Sequence, residues 1–305
     1  MSMSLVFSQI LVILLYVAAG FLAGKTGVIG KPQRKDLTNL CSRFILPFTI
    51  LSASSQQVSG EEMRSLLMAS LLFLAVFLGT TLVCLLIFRL HPVAPAFRTV
   101  FTSLVSYPNC SFLGLPLCSA LFGAMGVLYS AGAVLMFNLL FFTVQWVLFT
   151  GKKFVIRTLL TPTMLSTAVL FVMLLTGLHF PGPLQTVVGN IGAMITPLSL
   201  MIIGVMMSEN RLLAIFSESA AYLVVLIRNL LIPLLCIGLL RLLPMESTAR
   251  LCVLVYLACP SAALTSLFAI DNDVAPELGA HGVLMSTIAF AATLPLILYI
   301  GQKIL

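Results

Sequence analysis

Two short stretches of this chain place a proline and small polar side chains inside otherwise apolar segments. The residues concerned are Tyr107, Pro108, Asn109 and Ser111 in the first stretch and Cys259, Pro260, Ser261 and Thr265 in the second. A proline inside a helix removes one backbone hydrogen bond and clashes with the carbonyl four residues before it. We therefore predict that each of the two helices breaks at its proline.

Such breaks expose backbone groups that can bind an ion. The second half of a broken helix begins with unpaired N–H groups and the positive end of its dipole, and the first half ends in unpaired carbonyls. If the two breaks meet, their positive ends attract an anion without a fixed cation. The neighbouring amide and hydroxyl groups can cap the half-helices or bind a carboxylate directly. These residues are therefore the predicted substrate-binding site, although Pro108 and Pro260 could instead only kink structural helices.

Three more residues are secondary candidates for the site. Arg228 lies inside an apolar segment, where it either contacts the substrate, reaches the membrane interface or hydrogen-bonds to backbone carbonyls. Pro47 and Pro197 occupy equivalent positions in two other segments, which predicts either kinks at a helix interface or a second site. Arg43 is interpreted as an anchor at the membrane interface, and Asp271 as a solvated loop residue.

The composition is that of an integral membrane protein. Of the 305 residues, 60% are hydrophobic and 8% are charged, whereas soluble domains carry roughly 25% charged residues. The net charge of +7 is attributed to basic loops on one side of the membrane, so no nucleic-acid partner is expected. Seven cysteines without a CxxC pair predict neither a metal site nor a disulfide, and no cofactor motif is found. The sequence has no HExxH or GxSxG motif and no pair of intramembrane aspartates, so an enzyme is not expected.

The apolar segments predict ten membrane spans of about 20 residues each. The first span has no basic residue before it and is not expected to be a cleaved signal peptide. The predicted spans are 5–24, 37–56, 64–88, 97–121, 127–149, 160–178, 187–207, 219–241, 250–270 and 278–301.

Basic residues in the loops predict the orientation. Ten lysines and arginines fall on one side and four on the other, so the first side is cytoplasmic and both termini lie outside. The ten are Lys25, Lys31, Arg34, Lys35, Arg89, Arg98, Lys152, Lys153, Arg157 and Arg211.

The two halves of the chain repeat each other. A shift of 152 residues superposes Arg98 on Arg250 and Pro108 on Pro260. Because five spans is an odd number, the second copy must enter the membrane upside down. We therefore predict an all-α membrane protein whose ten transmembrane helices form two inverted five-helix repeats. Helices 4 and 9 are broken in this prediction and cross at mid-membrane.

Three sequence runs resemble the auxin efflux carrier family. They are Pro108-Asn109 followed by GLPL, the run RFILPF at 43–48, and the C-terminal run at 268–300. This resemblance implies the fold type of bile, arsenite and riboflavin transporters, with a scaffold domain, a mobile transport domain and often a dimer. It also implies that Asn109 contacts the substrate carboxylate. Ser261 stands where plant carriers tend to have glutamine. The compact form, with its short loop at 150–159, resembles prokaryotic members, for which malonate or malate is the usual suggestion.

We therefore predict a secondary transporter of small organic carboxylates that works by elevator-type alternating access. Residues 1–62 and 151–218 would form the scaffold, and residues 63–150 and 219–305 would form the transport domain. The protein would be a multi-pass homodimer surrounded by lipid in the cell (inner) membrane. Two alternatives use the same crossing: an anion channel, which needs a continuous polar stripe, and a membrane sensor, which needs a soluble output domain.

Overall fold

The computed structural model describes residues 3–209 and 215–305, with side chains from residue 7 onward. In these ranges the regular structure is helical apart from one isolated β-bridge. Arg211, which contributes to the predicted orientation, lies outside the described residues. Helices suit a lipid environment because they satisfy their backbone polar groups within their own segment. Within the described ranges, six helical stretches are long and apolar enough to cross a membrane: Phe7–Lys25, Gly60–Leu90, Cys110–Thr150, Gly182–Ser208, Ser219–Leu242 and Pro276–Ile304.

The first half of the chain folds into helices α1 to α7. The longest begins at a capping box, in which the Glu62 N–H donates to Ser59 Oγ at 3.2 Å and the Ser59 N–H donates to the Glu62 carboxylate at 2.7 Å. The helices are α1 (Met3–Lys25), α2 (Lys31–Leu40), α3 (Leu46–Ser52), α4 (Gly60–Leu90), α5 (Pro95–Ser106), α6 (Leu115–Leu140) and α7 (Trp146–Thr150).

The described part of the second half contains helices α8 to α15. Within it, α10 packs along α1 through small residues, because a Cβ on Gly20 would overlap the Met201 backbone and a Cβ on Gly204 would overlap that of Val17. The helices are α8 (Pro162–Thr176), α9 (Gly182–Ala193), α10 (Ile195–Ser208), α11 (Ser219–Val224), α12 (Ile232–Leu242), α13 (Ser247–Ala258), α14 (Ala263–Asp271) and α15 (Pro276–Ile304).

Wider π-helical turns precede three of the prolines. A proline clashes with the carbonyl four residues before it, and in each case that carbonyl belongs to the π-helical turn, whose extra residue makes room for the ring. The chain therefore stays helical at these prolines. The turns are Cys41–Ile45 before Pro47, Cys110–Gly114 before Pro116 and Val225–Leu231 before Pro233; a further one, Phe141–Gln145, precedes Trp146.

Two departures from helical conformation lie in the middle of the first half, one after Ser106 and one at Gly123. Predicted span 97–121 breaks after Ser106, and its second part ends at Gly123, close to the predicted boundary between this span and span 127–149. Gly123 has φ 60° and ψ −140°, a conformation that glycine adopts readily. A Cβ on Gly126 would overlap the carbonyl of Cys118, whereas residues eight apart in a continuous helix are about 12 Å from each other, so the chain turns back at Gly123. The arrangement of ten spans in two inverted repeats stays a prediction.

Candidate functional site

Both proline stretches leave the helical conformation. Helix α5 ends at Ser106, and Tyr107 is extended, with φ −114° and ψ 113°. Helix α13 ends at Ala258, and Cys259 is likewise extended, with φ −61° and ψ 148°. The physical cause is the one that the sequence suggests, since Pro108 and Pro260 have no N–H with which to continue the ladder.

The two interruptions lie against each other and form a short antiparallel bridge between Pro108 and Ser261. The Asn109 N–H donates to the Pro260 carbonyl at 2.8 Å, and the Ala262 N–H donates to the Tyr107 carbonyl at 2.9 Å. These bonds join backbone to backbone, so they fix the crossing whatever the side chains are. Each interruption thereby satisfies one donor and one acceptor of the other.

A cavity of about 530 Å³ lies beside the crossing, and the starts of two half-helices reach it. On one side are Asn109 and Ser111, at the start of the π-helical turn that leads into α6. On the other are Ala262 and Ala263, at the start of α14. The first N–H groups of a helix have no partner within it, so both helix starts direct donors and positive dipole ends toward the same space.

Asn109 occupies a position that serves both the fold and the cavity. It is 4% exposed, and its Oδ1 accepts a hydrogen bond from the Phe112 N–H at 3.3 Å, which caps the second half-helix. Its Nδ2 forms no hydrogen bond within the described residues. Neither does the Ser111 hydroxyl, which lines the same cavity.

The other six residues of the two stretches do not line this cavity. Tyr107 is fully buried, with its ring 5.4 Å from the Phe141 ring and its hydroxyl 3.4 Å from Thr81 Oγ1. Ser261 Oγ donates to the Leu104 carbonyl at 2.7 Å. These side chains make their contacts within the protein outside the cavity, and their part in a substrate site stays a prediction. The six are Tyr107, Pro108, Cys259, Pro260, Ser261 and Thr265, whose hydroxyl lies 2.8 Å from that of Ser103.

Arg228 makes its contacts with backbone carbonyls. It is fully buried, and its guanidinium donates to the carbonyls of Val105, Tyr256, Leu257 and Cys259 at 2.7–3.5 Å. It does not line the cavity. The sequence leaves three roles open for Arg228: contact with the substrate, a position at the membrane interface, or hydrogen bonds to backbone carbonyls. The described structure shows the hydrogen bonds to backbone carbonyls.

Pro47 and Pro197 also lie away from the cavity. Pro47 is in α3, which packs against α9, where Thr49 Oγ1 donates to the Gly192 carbonyl at 2.9 Å. Pro197 is in the first turn of α10, the helix that packs along α1. Both prolines thus lie in helices that pack against other helices.

The cavity lining includes two charged residues that the sequence analysis does not assign to the site. Arg43 is predicted to be an interface anchor, and Asp271 a solvated loop residue, yet both contribute to the lining. Within the described residues neither forms an ion pair; the ion pair found there joins Arg34 and Glu209 at 3.0 Å. One signal could have pointed to Arg43: it lies four residues before Pro47 in the RFILPF run.

The seven cysteines are buried and free, and the described residues contain no group of three or more His, Cys, Asp or Glu side chains able to hold a metal ion. The site is therefore described by its hydrogen-bond donors and its charges.

A family of membrane transport proteins matches the chain over residues 5–156 and 143–298. The chain belongs to this membrane transport protein family. The resemblance to auxin efflux carriers is thereby confirmed, and membership together with the long apolar helical stretches of the described part of the chain indicates a multi-pass membrane transporter. An uncharacterized transporter of Methanothermobacter thermautotrophicus is 24% identical over 293 residues, which cover 94% of this chain and 95% of that protein.

Proposed function

We propose that this member of the membrane transport protein family is a secondary transporter of small organic carboxylates. The observation that supports it best is a set of donors in one cavity without partners in the described residues. They are Asn109 Nδ2, the Ser111 hydroxyl and the Arg43 guanidinium. An ionised carboxylate accepts hydrogen bonds at both oxygens, and bonds from charged or helix-terminal donors to such a group are strong.

The apolar part of the cavity suits the organic part of such a substrate. Ligand sites commonly combine apolar walls with a few polar groups that fix orientation. The aromatic residues of the wall are Phe112, Phe137, Phe142 and Phe268. We therefore favour a carboxylate with a carbon skeleton over an inorganic anion.

The position of the cavity fits an elevator mechanism. Arg43 belongs to the proposed scaffold, whereas Asn109 and Ser111 belong to the proposed transport domain. An anion held at the start of the half-helix would travel with the transport domain and leave Arg43 behind. With the proposed orientation, the cavity wall formed by Thr161 and Asp271 faces the cytoplasm, so this conformation would be inward-open. We further propose a homodimer in the cell membrane with both termini outside.

The binding site can be tested with two substitutions of Asn109. Asn109→Asp keeps an oxygen to cap the Phe112 N–H but replaces the amide donor by a negative charge, and Asn109→Ala removes both groups. We expect carboxylate affinity to fall about 10–100-fold in Asn109→Ala, the equivalent of one hydrogen bond to a charged group, and further in Asn109→Asp. The measurement is ligand-induced thermal stabilisation of the purified protein with malonate, malate, succinate and acetate.

Asn190→Asp is the matched control, because Asn190 is exposed on α9 and carries the same change of charge. It should leave carboxylate stabilisation unchanged. Equal stabilisation of wild type and both Asn109 variants by every effective carboxylate would remove Asn109 from the site.

Exchange of labelled for unlabelled carboxylate distinguishes a carrier from a channel. In proteoliposomes, unlabelled carboxylate inside should accelerate uptake of the labelled compound through a carrier, because the loaded site returns faster than the empty one or exchanges directly. A channel has no site that must return. Uptake that proceeds at an undiminished rate when Asn109 is changed to Asp and that does not respond to internal substrate would contradict the proposal.

A further inference from the structure

The C-terminal ends of two helices meet at the crossing. Helix α5 ends at Ser106 and helix α13 at Ala258, and each ends in carbonyls that the following proline leaves without a helical donor. The negative ends of two helix dipoles therefore lie close together in a buried region. Such a place requires positive charge or hydrogen-bond donors.

Arg228 supplies both. Its Nε donates to the Cys259 carbonyl at 3.1 Å, its Nη1 to the Val105 carbonyl at 3.3 Å, and its Nη2 to those of Leu257 and Tyr256 at 2.7 and 3.5 Å. One guanidinium thus bridges the end of α5 and the end of α13, which belong to different halves of the chain. The side chain is fully buried.

No carboxylate shares this charge in the described part of the chain. The ion pair found there is the one between Arg34 and Glu209. The titratable side chains that interact with Arg228 are the thiols of Cys259, Cys110 and Cys236, and none of these is a carboxylate. The guanidinium charge is therefore balanced by carbonyl dipoles, which is the arrangement a bound metal cation would have.

In membrane transporters with discontinuous helices, unwound carbonyls and the C-terminal ends of half-helices commonly coordinate the coupling cation. Here those carbonyls are taken by a side chain. We propose that Arg228 is a built-in cation that occupies the place of a coupling ion, so that the anion binds and moves without sodium at the crossing. Arg228 is thus a positioning residue: it keeps the two interruptions paired and the two half-helix starts directed at the cavity.

The geometry explains why an arginine is needed. A guanidinium has five N–H donors in a planar fork, so it can reach carbonyls on two helices at once. A lysine has three donors on one nitrogen atom at the end of a flexible stem. Arg228→Lys should keep the charge but bridge the two helix ends poorly.

The first experiment compares Arg228→Ala with Arg241→Ala, since Arg241 is an exposed arginine at the end of α12. The purified proteins are heated in low-millimolar guanidinium chloride or in choline chloride of the same ionic strength. We expect Arg228→Ala to melt lower than wild type and to gain a few degrees from guanidinium in a saturable manner, because the free ion refills the carbonyl cage. Wild type and Arg241→Ala should not gain. A folded Arg228→Ala protein that gains nothing from guanidinium would overturn the proposal.

The second experiment uses the wild-type protein and so does not depend on whether a variant folds. Its melting temperature should be the same in sodium chloride and in choline chloride of equal ionic strength. A saturable stabilisation by sodium would overturn the proposal, because the protein would then have a sodium site in addition to Arg228.

The last experiment asks whether Arg228 acts on the anion site, and this step rests on the proposed function. In Arg228→Ala below its melting temperature, guanidinium should raise the affinity for an effective carboxylate about 5-fold or more, since the two ions would be coupled. A purely structural role would leave the affinity of the folded protein unchanged, and that result would refute the coupling. If no carboxylate binds even to wild type, the proposed function fails while the two cation experiments still stand.

Discussion

Ser261→Ala tests whether the Ser261 hydroxyl stabilises the crossing or binds the substrate. The Leu104 carbonyl would accept a helical hydrogen bond from residue 108, but Pro108 has no N–H. Ser261 Oγ donates to this carbonyl instead, at 2.7 Å, and both residues are fully buried. Removing the hydroxyl leaves a buried carbonyl without that donor, in a place that water does not reach.

The size of the effect follows from that geometry. A buried polar group left without its partner costs about 1–3 kcal/mol of stability. Alanine differs from serine by one oxygen atom, so the lost volume is small and the unpaired carbonyl dominates. For a chain of this length we expect the melting temperature to fall by a few degrees.

Ser111→Ala provides the matched comparison, because it is the same chemical change at a hydroxyl that lines the cavity and has no partner within the described residues. The assay is thermal unfolding of the purified protein in one detergent, followed by titration with an effective carboxylate. Ser261→Ala should melt lower and keep its affinity while folded. Ser111→Ala should melt like wild type and bind the carboxylate about 3–10-fold more weakly, as expected for one lost hydrogen bond.

The reverse pattern would refute this reasoning. If Ser261→Ala melts like wild type but loses carboxylate affinity, then Ser261 contacts the substrate and the bond to Leu104 contributes little.

Three further predictions concern other parts of the molecule. Gly20→Val should lower the melting temperature clearly, because its Cβ would overlap the backbone of α10, whereas Gly79→Ala, with no atom near the added Cβ, should be neutral or slightly stabilising. Arg43→Gln should weaken carboxylate binding about 10-fold with little change in melting temperature, measured by ligand-induced stabilisation, since it removes a cavity charge that has no ion pair in the described residues. The pKa of Glu246 lies below its ordinary value: partial burial would raise it, but hydrogen bonds from the Thr248 and Ala249 N–H groups outweigh that effect. This contribution to stability is present above the ordinary glutamate pKa of about 4.3 and is lost as the pH falls, so Glu246→Gln should flatten the decline of the melting temperature between neutral and acid pH.

The sequence by itself predicts the membrane character and the position of both interruptions. A proline lacks an N–H in every environment, so the breaks at Pro108 and Pro260 are local consequences of covalent structure. Their pairing is suggested by the equivalent positions of the two prolines in the repeat. The end of the helix after the first interruption lies close to the predicted boundary at residue 121, because the chain turns at Gly123, which adopts a positive φ readily.

The direction of each polar side chain depends on tertiary packing. Ser111 and Ser261 are the same residue type beside equivalent prolines, yet Ser111 lines the cavity and Ser261 satisfies a carbonyl of the opposite helix. Arg228 finds carbonyls from two helices that are far from it in the chain, and Arg43 reaches a cavity that no segment forms alone. Sequence spacing specifies where donors and acceptors become free, because that is backbone chemistry. Which side chain meets which free group is decided only when the helices pack, because the partners lie more than a hundred residues apart for several of these contacts.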